Sequence, residues 1–118
     1  MPSINTQHEQ VLECTGSYHD YLMSTLQDEQ EATSYLQVAL DEYQEDSNTE
    51  AFMLALRNVA EATGGIGKLA KKAELNRQHL YHMLSSKGNP SLKKLNPILN
   101  GLGFHLYIGR AHQLQRAA

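Results

Sequence analysis

Residues 66–84 read IGKLAKKAELNRQHLYHML, and the fold follows from how this stretch divides. Residues 67–73 have helical spacing, with Leu69, Ala70 and Ala73 on one face. Glu74-Leu75-Asn76 forms a turn, and Asn76 is suited to cap a second helix, because its side-chain oxygen can accept an orphan backbone N–H. That helix carries Leu80, Met83 and Leu84 inside and Arg77, Gln78, Tyr81 and His82 outside. Ala70 is small where the two helices approach most closely. The pattern is that of a helix-turn-helix, in which the first residues of the second helix enter a DNA major groove. A plain helical hairpin inside an all-helical core is the simpler alternative. The residue after Ala73 is expected to be left-handed, a position often held by Gly, and here it is Glu74 at a cost of about 1 kcal/mol.

Working outward, the 118 residues suffice for one domain with a core and an appendage. A hydrophobic content of 41% is ordinary for a water-soluble protein, and there is no apolar run of membrane-spanning length. The first residues lack the basic-then-apolar pattern of a signal peptide, and Cys14 is alone. The expectation is a cytoplasmic protein without a disulfide.

Net charge is −3, which argues against a nucleic-acid binder until its distribution is read. Residues 1–60 carry eleven acids and one base, Arg57. Residues 61–118 carry nine bases and two acids, Glu61 and Glu74. A basic half can neutralise phosphates and an acidic half suits a basic partner.

Residues 1–16 are polar and aperiodic and read as a flexible tail. Residues 17–46 form an acidic helical segment. Its first helix groups Tyr18, Tyr21, Leu22 and Leu26, and Asp28 can cap the second, whose stripe is Ala32, Tyr35, Leu36, Ala39, Leu40 and Tyr43. Residues 47–109 form the helix-turn-helix domain. Asn48 or Thr49 caps a helix burying Phe52, Ala55, Leu56, Val59 and Ala60, and Gly64-Gly65 ends it. A last helix over 91–102 is expected to bury Leu92, Leu95, Ile98, Leu99 and Leu102, with a kink at Pro97. Phe104-His105-Leu106-Tyr107-Ile108 alternates and predicts one short strand. A lone strand has unpaired edges, so Phe104, Leu106, Tyr107 and Ile108 are expected to pair with a second copy in a two-fold dimer. Residues 110–118 read as a second flexible tail. The fold class is therefore all-α, with an N-terminal helical extension and a C-terminal strand.

No catalytic constellation is present. His79 and His82 have a spacing that could hold a metal, but no Cys or carboxylate completes a site. Gly64-Gly65-Ile66-Gly67-Lys68 lacks the spacing of a phosphate loop and no strand precedes it. The expectation is no enzyme, no metal and no cofactor. On the residues alone, Arg77 and Gln78 are the side chains best shaped for guanine and adenine edges, and Lys68 and Lys87 can neutralise phosphates.

The segments LALRNVAEA, LAKKAELNRQHLYHMLS and KGNPSL closely resemble the probable addiction-module antidote proteins, HigA-like antitoxins with a lambda-repressor-like helix-turn-helix. The resemblance covers about residues 18–108. The usual Gly of the turn is replaced by Glu74, and Pro97 is less usual. The resemblance implies a cytoplasmic antitoxin that represses its own operon as a dimer and neutralises a RelE/ParE-type toxin. It implies base reading by Asn76, Arg77, Gln78, Tyr81 and His82, and phosphate contacts at Gly67, Lys68, Lys87 and Asn89. The competing function is a protein-interaction adaptor that keeps the scaffold without specific DNA binding.

Overall fold

Six helices follow one another in a computed structural model that describes residues 15–85 and 89–110: α1 Thr15–Thr25, α2 Glu29–Asp46, α3 Thr49–Ala62, α4 Ile66–Ala73, α5 Arg77–Met83 and α6 Leu92–Leu102. Among the described residues there is no strand, so the architecture is all-helical. No helix is long and apolar enough to cross a membrane.

Local chemistry sets the starts of three helices. Asp28 accepts the N–H of Gln30 (3.1 Å), Asn48 that of Ala51 (3.2 Å) and Asn76 that of His79 (2.9 Å). Each side chain satisfies an amide that the first turn leaves without a partner. Two of the caps, Asp28 and Asn76, are as the sequence suggests, and Asn48 rather than Thr49 takes the third.

Three helices also end alike. At the close of α3, α4 and α6 a residue with positive φ is followed by an amide that reaches back five residues: Gly65 N to Ala60 O (2.8 Å), Leu75 N to Ala70 O (2.9 Å) and Phe104 N to Leu99 O (2.8 Å). The residues at the bend are Gly64, Glu74 and Gly103. Glycine takes this conformation freely, whereas Glu74, at φ 57° and ψ 47°, crowds its Cβ against the following carbonyl. Its carboxylate also sits at the negative end of α4. Glu74→Gly is therefore expected to stabilise the chain by about 0.5 kcal/mol, because relief of strain exceeds the added unfolded-state entropy. The thermal midpoint should rise by roughly 2–4 °C. A lowered midpoint would mean that the left-handed turn is not kept in solution.

One apolar core joins all six helices. Leu26, Leu36, Leu56, Val59, Leu80, Leu84 and Ile98 are buried in it. α3 is shared: it packs against α1 and α2 and also against α4, while α4 packs against α5 and α6. α4 and α6 pack closely at Gly101, where an added Cβ would come 2.7 Å from Leu69 Cδ1. The expected stripes of α2 and α3 are largely present, with Met53 added to the core and Tyr43 left at its edge.

Two expectations are corrected. Leu92 is 71% exposed rather than buried, because it is the first residue of α6 and precedes the turn that meets the core. In the single chain the expected strand over 104–108 is absent: residues 104–110 have neither helical nor strand pairing. A strand needs a ladder partner, and none is present among the described residues. Phe104 packs on the core, while Leu106, Tyr107 and Ile108 are exposed, Ile108 fully. α6 continues through Pro97 as one element. α1 begins at Thr15, two residues ahead of the expected start. Residues 1–14 and 111–118, most of both expected tails, and residues 86–88, including Lys87, lie outside the described residues.

Candidate functional site

The short helix α5 stands on Leu80 and Met83, both buried, with Leu84 beneath its end. Its remaining residues are exposed. Arg77, Gln78, Tyr81 and His82 therefore share the outer surface for the reason the sequence suggests: a period of 3.6 residues separates them from the buried positions.

Tertiary packing then brings the start of α4 to the start of α5. Ile66, Arg77, Gln78 and Tyr81 line one open depression of about 590 Å³. A Cβ added to Gly67 would lie 3.9 Å from Arg77 Nε, so the guanidinium side chain stands beside the first turn of α4. That turn has no side-chain cap, leaving early amides of α4 free for an acceptor. Lys68, in the same turn, lies back over Gly64, where a Cβ would overlap its Cδ.

Other candidates fall differently. Asn76 is exposed, but its side-chain oxygen is occupied by the His79 amide, and only its NH₂ group remains to act as a donor. Asn89 is exposed in the loop before α6. Lys87 lies outside the described residues. Among the described residues no Lys or Arg meets a carboxylate; Glu61 Oε2 instead meets His19 Nε2 at 3.2 Å. The basic side chains of α4 and α5 are thus uncommitted to acids. No group of three or more His, Cys, Asp or Glu among the described residues could hold a metal.

Sequence reasoning missed Arg57. Its guanidinium carbon lies 5.9 Å from the centre of the Tyr81 ring, linking α3 to the outer face of α5. The available signal was charge: Arg57 is the single base in residues 1–60. A half-exposed cation–π contact is worth about 0.5–1 kcal/mol. A double-mutant cycle on Arg57→Met and Tyr81→Leu should return a coupling of about that size. Strictly additive losses would show that the two side chains do not meet in solution.

The acidic half has its own relief. α1, α2 and α3 enclose a groove of about 420 Å³ with an apolar floor. Tyr35, in its wall, accepts a hydrogen bond from Asn58 Nδ2 at 2.8 Å, which ties α2 to α3.

These two surfaces can be set beside known proteins. A family profile described as "probable addiction module antidote protein" matches residues 17–110. An uncharacterized protein of Haemophilus influenzae is 27% identical over 73 residues, covering 62% of this chain and 74% of its own length. No solved structure matches the chain significantly. Because the profile runs from α1 through residue 110, taking in both surfaces, the chain belongs to the probable addiction module antidote proteins, the antitoxin partners of toxin–antitoxin pairs.

Proposed function

We propose that this antidote is also a sequence-specific DNA-binding repressor of its own operon, with α4 and α5 acting as a lambda-repressor-like helix-turn-helix. The observation that carries the reading is the convergence of Arg77, Gln78 and Tyr81 with the uncapped first turn of α4 on one exposed surface. Arg can bond guanine O6 and N7 together, and Gln can do the same for adenine N6 and N7. Tyr81 and His82, one turn further along α5, extend the reading surface, and the NH₂ of Asn76 adds a donor at its start. Gly67 and Lys68 meet one phosphate run, and Lys87 and Asn89 meet another beyond α5.

The chain acts as a dimer. Leu106, Tyr107 and Ile108 are exposed, with Phe104 anchoring the segment to the core. Pairing this segment with its copy would satisfy its open backbone groups and place two α5 helices for a palindromic site. The protein partner is a RelE/ParE-type toxin, met in the cytoplasm.

A reporter fused to the DNA upstream of the chain's own gene tests the repressor, and growth after expression of the neighbouring reading frame tests neutralisation. Supplying the chain should lower reporter output and relieve growth arrest. Unchanged output would overturn DNA repression, and unrelieved arrest would overturn the choice of partner.

A further inference from the structure

We infer that the groove between α1, α2 and α3 is where the toxin docks, and that it receives an amphipathic helix with an apolar stripe and Lys or Arg at both ends. The inference rests on the antidote reading and says where and how that partner is held.

The floor is apolar, with Leu22 of α1, Val38 of α2 and Ala55 of α3 contributing. Val38 is 56% exposed although it lies on a helix whose neighbouring turns supply the core. An apolar hollow of this kind favours an apolar occupant over water. The charged residues lining it are Glu31 and Glu42, both on α2. Neither is in an ion pair among the described residues. Arg57 is the single base in residues 1–60, and its guanidinium lies over the Tyr81 ring, so the groove carries two carboxylates and no Lys or Arg in its lining.

That charge selects the occupant. Nucleic acid is repelled. A second copy would have to offer its basic half, residues 61–118, which the proposed function already commits to DNA and to self-pairing through residues 104–108. A foreign basic segment remains. Glu31 and Glu42 are eleven residues apart on one helix, a rise of about 16 Å, or three turns. A partner helix lying along α2 would place basic residues three turns apart over the two carboxylates and its apolar stripe over Val38, the arrangement of a helix held in a groove.

The test uses the full chain co-expressed with the product of the neighbouring reading frame. Complex affinity is compared for the wild type, Val38→Arg, and the pair Glu31→Lys with Glu42→Lys. All three positions are exposed or at the rim, and circular dichroism together with affinity for upstream DNA reports whether the fold and the DNA surface are intact. The expected result is a complex weakened more than about tenfold by each variant, with DNA affinity retained. Wild-type affinity in both folded variants would overturn the groove while leaving the antidote reading standing. A change in self-association in place of partner affinity would overturn the choice of occupant. No complex with the wild-type chain would overturn the antidote reading, and the groove proposal with it.

Discussion

If α5 reads DNA as proposed, Arg77→Ala is expected to lower affinity for the operator by about 1–3 kcal/mol, roughly five- to 150-fold, and to relax preference at one base pair. The size follows from position. Arg77 is the first residue of α5, is exposed, and stands beside Gly67 at the start of α4. A side chain there can form two parallel hydrogen bonds to one guanine, and truncation loses both. Lys68→Ala gives the contrasting result. Its loss should be similar for all sequences and should lower the slope of log affinity against log salt by about one. Anisotropy titrations of both variants on matched and mismatched DNA separate the two roles. Since Arg77 is exposed, its replacement should leave the thermal midpoint near that of the wild type. Unchanged DNA affinity in Arg77→Ala would remove α5 from the reading surface and favour an adaptor built on the same scaffold.

Leu80→Ala carries the largest expected loss of stability. Leu80 is wholly buried on the inner face of α5, against a core that includes Leu69, Ala70 and Ile98. Truncation removes transfer energy and leaves a cavity, together costing about 2–5 kcal/mol. With only seven residues, α5 cannot hold its own helix, so its order depends on this packing. A fall in the thermal midpoint of roughly 10–20 °C is expected, with DNA binding lost at temperatures where the wild type still binds. Leu92→Ala is the internal contrast: at 71% exposure it should change stability by less than about 0.5 kcal/mol. Equal losses at the two positions, read by urea unfolding, would contradict the packing described.

What could be read in advance was whatever depends on nearby residues. The caps at Asp28 and Asn76 involve amides two or three residues on, so the residue type and its place before an apolar run were enough. The left-handed backbone at Glu74 follows from how a helix must end when the next amide reaches back to Ala70. The stripes of α3 and α5 were legible because a helix buries every third or fourth residue. Leu92 continues the stripe of α6, yet at the first helical position periodicity does not fix which residues meet the core. A strand at 104–108 has the right alternation, but pairing is a property of two segments, and no second one is found among the described residues. Arg57 over Tyr81 joins residues 24 apart in sequence, and the groove beside α2 exists only where three helices meet. Neither contact leaves a short-range signal.

Fluorescence anisotropy of the intact protein on DNA from upstream of its own gene, beside scrambled DNA and across a salt series, tests the central claim most directly. Tight, sequence-dependent binding is expected, with one dimer per palindrome and a salt slope that reports several phosphate contacts. Weak binding that is equal on the two DNAs would reduce the basic half to nonspecific charge and contradict the reading of α5 as a recognition helix.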